Sequence, residues 1–406
     1  MYTRLKSLFA IKGYSVLVIC MLCIGIGISI TSPYIPLFLT EDFGMSAGSF
    51  GIFMAISSLS GVVVNSLIAK HSDSGMDRKW IIILAALSAT LGYASYLIFH
   101  NFFILLIVVT LFNGLAAPVM PQIYAYAHES ANASKSDDKT FAMSTLRSLI
   151  SFGFLIGPLC GTLILALAGY TGIFLGTSIL YLSVASLVFL FLNKTEAPKS
   201  DAKKKISLGA SWIKNREIRL PLIAFLFLFA INTIHLIITP LFIVNELHGT
   251  YKDVGLVVSI CAGLEIPIML GLGALGKKIS NHTLMIYSCI ILVIYYTILS
   301  VATHPWQLIP AQLLQATFVA IVMGNGLSYF TERLPSSPGL ATTIYSNGST
   351  LGRLVGSLSG GFIAQVVGFR QVFWMCLILV ILSLIIFWKT RPQGDKDITT
   401  EYTRSV

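Results

Sequence analysis

Twelve apolar runs, most of them near 20 residues long, constrain this chain more than any other feature. They cover about Tyr14–Phe38, Ser46–Ala69, Trp80–Phe99, Phe102–Tyr126, Phe141–Ala166, Gly172–Phe191, Leu220–Val244, Val254–Leu275, Leu284–Val301, Trp306–Tyr329, Ala341–Val366 and Val372–Trp388. A helix of about 20 apolar residues crosses a bilayer core of about 30 Å. Only 11% of the residues are charged and the mean hydropathy is +0.83, whereas a soluble chain averages about a quarter charged. A cytosolic enzyme is excluded on that ground. The pattern predicts an all-α membrane protein with twelve transmembrane helices in two pseudo-symmetric six-helix bundles.

The Lys and Arg residues orient it. Lys252 and Arg370 fall in outer loops, Arg147 and Arg353 fall inside spans, and the rest lie on segments that share a side with both termini. By the positive-inside rule that side is the cytoplasm. The formal net charge of +10 then suits a basic face apposed to anionic lipid and gives no reason to expect nucleic acid as a partner. The first run lacks a small-residue cleavage site and reads as a retained helix. All six cysteines lie in apolar spans, so no disulfide framework is expected.

The longest polar stretch divides the chain. It sets residues 1–192 as an N-terminal bundle, 193–219 as a cytoplasmic linker, 220–392 as a C-terminal bundle and 393–406 as a cytoplasmic tail. The halves echo each other: Pro36-Leu37-Phe38 recurs as Pro240-Leu241-Phe242, and Gly51 recurs at the same offset as Gly255. Glycines repeat every four residues in the fifth span (Gly153, Gly157, Gly161) and in the eleventh (Gly352, Gly356, Gly360), a stripe that lets helix backbones approach closely. Duplicated bundles suggest rocking about a midplane site. The chain has no G-x-x-x-x-G-K-[ST] loop for ATP, which favours a secondary transporter, expected to work as a monomer.

Of 17 acidic residues only Glu265 lies deep in a span, about 18 Å from Lys278 at 1.5 Å per residue. Arg353 and Arg147 are the buried cations. Each isolated charge costs about 2.5–3.5 kcal/mol in a membrane, so the three should face protein or water, near one another. A carboxyl whose proton affinity rises with desolvation and falls beside an Arg can load and release a proton as the Arg moves; the competing reading is a fixed Glu–Arg pair locking two helices. Polar residues at helical spacing supply candidate ligand contacts lining a wet cavity: Asn232 and His235 with Thr239, Gln315 with Gln312, and Asn347 beside Ser346, Ser349 and Thr350. Asn113, Gln122 and Asn325 join them by depth. Amides and hydroxyls both donate and accept, which suits a neutral polyhydroxyl ligand. No H-x-x-H or H-E-x-x-H set occurs among the seven histidines, so neither metal, cofactor nor hydrolytic catalysis is expected, and a polytopic membrane enzyme is only a remote alternative.

Two motifs carry a resemblance. Gly153-x-x-x-Gly157-Pro158-x-x-Gly161 is similar to the antiporter motif of the major facilitator superfamily. Loop 2–3, with Asp73, Asp77, Arg78 and Lys79, resembles that superfamily's gating motif, with Asp77 where a glycine is usual. Further patches resemble the bacterial sugar efflux transporter family: Met120-Pro121-Gln122 followed by Ala125, Ala127 and Glu129, Arg147, Gly263-Leu264-Glu265-Ile266-Pro267, and Ala341-Thr342-Thr343 with Asn347. The resemblance implies a multi-pass protein of the bacterial inner membrane that exports small sugars or glycosides by proton antiport. Its competitor is a multidrug or amphiphile antiporter, for which 25 Phe and 11 Met would supply the lining.

Overall fold

The computed structural model describes residues 13–72, 77–133, 139–193, 216–275, 279–335 and 337–390. Most of the linker, the tail beyond residue 390 and Asp73 lie outside them.

Among the described residues twelve helices follow the apolar runs. α1 (Tyr14–Thr31) breaks before Pro33 and continues through Ile35–Leu37 into a π turn, Phe38–Asp42. Then come α2 (Ala47–Ser72), α3 (Arg78–Ile98) and α4, whose halves Phe102–Ala116 and Val119–Ala133 flank Pro118. The stretch Lys139–Phe191 holds both α5 and α6. Gly169 divides them with φ 62 and ψ −165, a conformation open to glycine because it has no Cβ. The second half comprises α7 (Arg216–Asn245), α8 (Tyr251–Leu275), α9 (Asn281–Val301), α10 (Leu308–Arg333), α11 (Pro338–Val367) and α12 (Phe369–Lys389). Gly368, at φ 93, ends α11 and starts α12.

Short polar side chains fix several starts. Asp77 caps α3 by accepting from Lys79 N at 3.0 Å, Asn101 caps α4 through Phe103 N at 3.0 Å, and Ser280 caps α9 through Thr283 N at 3.2 Å. Each satisfies a backbone donor that has no carbonyl one turn back. Among the described residues ten stretches are long and apolar enough to cross a membrane. The longest, Thr145–Phe191, contains two crossings, and α11 is not among the ten because Ser, Thr, Asn and Gly dilute its hydropathy. Large apolar side chains such as Leu163, Leu167, Phe189 and Leu270 are exposed, as they are where hydrocarbon replaces water as solvent.

The helices gather into two compact units, Met1–Lys205 with Leu236–Gly263, and Ile206–His235 with Leu264–Val406. The core of the first is built from α1, α3, α4, α5 and α6 around Leu17, Met21, Ile24, Ile82, Ile123 and Val188, and the Tyr14 hydroxyl donates to Ala142 O at 2.7 Å. In the second, α9 packs on α10 and α12, and α11 on α10 and α12. Phe225, Tyr329, Phe330 and Phe387 form its aromatic centre, with ring centroids 4.9–5.8 Å apart around Phe225.

Candidate functional site

In the first unit the glycine stripe of α5 lies on α1. A Cβ on Gly153 would sit 2.4 Å from the Gly25 carbonyl carbon, one on Gly157 would strike the Ser29 hydroxyl, and one on Gly161 would be 2.7 Å from Ile30 O. Ser29 Oγ donates to Gly153 O at 2.8 Å, a cross-helix bond that only such close approach permits. In the second unit the matching stripe of α11 lies on α7, where a Cβ on Gly352 would be 2.5 Å from Phe229 Cβ and one on Gly356 would be 2.4 Å from Ala230 O. α5 on α1 and α11 on α7 are the same packing in corresponding helices.

Around loop 2–3, Arg78 donates from Nε to Glu129 Oε1 at 2.7 Å and from Nη1 to Gln122 Oε1 at 2.9 Å. The charged pair is nearly buried, at 11% and 13% exposure. Lys79 Nζ donates to Phe189 O and Leu192 O at 2.8 and 2.7 Å, satisfying carbonyls at the end of α6. The gating residues thus tie α3 to α4 and α6, and Gln122 is part of that tie.

At the opposite end of this unit the π turn carries Glu41, whose Oε2 accepts from the Tyr251 hydroxyl at 2.7 Å. Tyr251 also meets Tyr170 edge-on, with centroids 6.2 Å apart. Beneath it the Tyr34 hydroxyl donates to Pro158 O at 2.9 Å and lies 2.5 Å from Thr162 Oγ1. The start of α8 is pressed so closely here that a Cβ on Gly255 would strike Thr162 and sit 3.0 Å from Pro158 O. Nothing in the spacing pointed to Glu41 or Tyr251; their signal was an acidic pair and an aromatic flanking outer loops.

The titratable trio falls on three helices. Arg147 is exposed on α5 in the first unit, while Glu265, half-buried on α8, and Arg353, exposed on α11, belong to the second. Asn113 and Asn232 are half-buried and Asn347 is exposed. Asn325 donates to Asn281 Oδ1 at 3.0 Å, and Asn281 in turn donates to Glu332 at 2.6 Å. His235 and Gln315 are buried in the second unit, at 7% and 1% exposure. His235 Nδ1 lies 3.4 Å from the Tyr295 hydroxyl, and Gln312 Nε2 lies 3.3 Å from the same oxygen.

An apolar cavity of about 540 Å³ runs between α2 and α4, lined by Ile56, Leu59, Val63, Ile107 and Leu111. It offers almost no polar groups and does not suit a polyhydroxyl ligand. Among the described residues no group of three or more His, Cys, Asp or Glu could hold a metal ion.

The family described as Major Facilitator Superfamily matches residues 17–306 and again 222–404. The chain belongs to the major facilitator superfamily. Within it, sugar efflux transporter C of Escherichia coli (strain K12) is 30% identical over 362 residues, covering 89% of this chain and 91% of that protein. Sugar efflux transporter A of Dickeya chrysanthemi is 29% identical over 90% of this chain and 93% of its own length. Both lie in the sugar efflux transporter family, to which this chain also belongs. A crystal structure of the nucleoside transporter NupG superposes with a TM-score of 0.81 over 93% of this chain and 98% of that one, at 12% identity, a likeness of fold. This major facilitator protein is therefore a multi-pass membrane transporter and not an enzyme.

Proposed function

We propose that the protein exports small sugars or glycosides from the cytoplasm across the bacterial inner membrane, in exchange for protons and by alternating access. The observation that carries this reading is nearly full-length similarity, near 30% identity, to transporters named for sugar efflux. Both termini face the cytoplasm, and the protein acts as a monomer in the lipid bilayer, with residues 1–192 and 220–392 as its two rocking bundles.

Glu265 is the protonation site. Its helix is otherwise apolar through Ala262-Gly263-Leu264 and Ile266-Pro267, so its charge is costly unless a cation or water faces it. Arg147 or Arg353 acts as the switching partner: an approaching guanidinium favours the carboxylate and expels the proton, and its withdrawal favours reloading. Asn113, Gln122, Asn232, His235, Gln315, Asn325 and Asn347 are the proposed sugar-facing set. On the outer side, the bond between Tyr251 and Glu41 and the tight seat of Gly255 act as a closure that breaks when the cavity opens outward. Opposite, Asp77, Arg78 and Lys79 serve the inner side.

Cells expressing the protein should accumulate less of a labelled, non-metabolised glycoside than cells without it. Resistance to lipophilic cations with unchanged glycoside accumulation would overturn the sugar reading in favour of amphiphile export.

A further inference from the structure

The start of α9 repeats the start of α3 at a constant spacing. Ser280 caps α9 where Asp77 caps α3, and Asn281 is the first residue of its helix as Arg78 is of the other. On the helix that follows, Asn325 and Glu332 stand where Gln122 and Glu129 do, seven residues apart in both cases and so on one face, two turns from each other. Each of the four follows its counterpart by 203 residues. The bonds repeat with the residues. Arg78 donates to Glu129 at 2.7 Å and to Gln122 at 2.9 Å; Asn281 donates to Glu332 at 2.6 Å and accepts from Asn325 at 3.0 Å. Chemistry accounts for the one difference. A guanidinium only donates, so Gln122 turns its oxygen to Arg78. A carboxylate only accepts, so Asn281 gives its Nδ2 to Glu332 and has an oxygen left, to which Asn325 turns its Nδ2. The second unit closes the same triangle with an amide in place of the guanidinium.

We infer that Asn281 and Glu332, oriented by Asn325, are the second unit's own gating tie: positioning residues that make the inner ends of α9 and α10 move as one body when the inner side opens and closes. This rests on the reading of Asp77, Arg78 and Lys79 as serving the inner side, and extends it to residues that no sequence motif marks. Asn325 gives the tie one amide hydrogen and keeps its oxygen. Glu332 is exposed and Asn281 half-buried, and the tie has no cation, so it is the weaker of the two. A cation at residue 281 would strengthen it.

The test is hydrogen exchange of the full chain in lipid nanodiscs over residues 282–288 and 326–333, with efflux of labelled methyl glucoside from cells measured on the same variants. Asn281→Ala removes both bonds and should raise exchange about fivefold, the ratio set by one ordinary hydrogen bond. It should also lower the maximal efflux rate and leave the half-saturation concentration unchanged. Asn281→Arg places there the residue the first unit uses, and should hold exchange at or below the wild-type level and keep the rate. Exchange unmoved by Asn281→Ala, or as fast in Asn281→Arg as in Asn281→Ala, overturns the inference. A raised half-saturation concentration at an unchanged maximal rate overturns the gating role, because it would put Asn281 on the sugar. Arg78→Ala is measured beside them. If it lowers the maximal rate and Asn281→Ala does not, the second tie is no gate; if neither lowers it, the reading of loop 2–3 as a gate falls as well. A wild type that exports no methyl glucoside would show the loss of the sugar reading itself, before any variant is compared.

Discussion

Gly153→Ala tests whether the α5 stripe exists to let α1 approach. The added Cβ would lie 2.4 Å from the Gly25 carbonyl carbon and 2.7 Å from Ile26 N, against an optimum of about 3.5–4.0 Å for carbon contacts. Both neighbours are backbone, so no side chain can swing aside and the two helices must part by about 1 Å. Overpacking of this kind costs about 1–3 kcal/mol. Parting also stretches the 2.8 Å bond from Ser29 Oγ to Gly153 O, worth about 0.6 kcal/mol between membrane helices. Against these stands the gain from replacing glycine inside a helix, about 0.5–1 kcal/mol. The net expectation is a loss of about 1–3 kcal/mol. Gly176 is the control, since a Cβ there meets nothing within 4 Å, and Gly176→Ala should be neutral or slightly stabilising. Unfolding free energies of the purified protein in mixed micelles would compare the two. If Gly153→Ala proved no less stable than Gly176→Ala, the close-approach argument would be wrong.

The matching substitution in the second unit, Gly356→Ala, would bring a Cβ within 2.4 Å of Ala230 O and should cost a similar 1–3 kcal/mol in the same measurement. Arg78→Ala removes the ion pair to Glu129, which is 13% exposed, and the hydrogen bond to Gln122, so a loss of about 1.5–3 kcal/mol, the range for hydrogen bonds to charged groups, should appear in thermal unfolding; a change under half a kcal/mol would mean water replaces the guanidinium. Tyr251→Phe removes the bond to Glu41, worth about 1 kcal/mol for a partly exposed group. Hydrogen exchange at residues 247–255 should rise about fivefold, and unchanged exchange would show that this contact does not hold the outer end closed.

How much could be read beforehand followed from how local each signal is. Twelve crossings were legible because apolar run length is a property of contiguous residues, and the run Ala341–Val366 marked α11 although its hydropathy is diluted. The ends were less legible. α7 begins at Arg216 and not at Leu220, and α8 at Tyr251 and not at Val254, because helices continue past the hydrocarbon into the interface where charged residues are comfortable. The π turn at Phe38–Asp42 left no trace in the pattern. The glycine stripes announced close packing, yet the surfaces they receive, Gly25 and Ser29 on α1 and Phe229 and Ala230 on α7, come from helices more than a hundred residues away in the chain. His235 was picked out by its own polarity, but its partner Tyr295 reads as one more aromatic in an apolar run. Gln122 was chosen by depth, and its bond to Arg78 depends on how α3 meets α4. Composition names polar residues inside a membrane; only tertiary packing says which of them face one another.

The central claim is that Glu265 couples sugar export to proton entry. Inverted membrane vesicles expose the cytoplasmic face, so export becomes uptake into the lumen. With the lumen one pH unit more acidic than the medium, each proton leaving it supplies about 1.4 kcal/mol. One-for-one exchange should then concentrate a labelled glycoside up to about tenfold at zero membrane potential. Glu265→Gln should abolish that accumulation while labelled glycoside still exchanges for unlabelled across the membrane. A Glu265→Gln protein that accumulates the glycoside as well as the wild type under the same pH step would contradict the account.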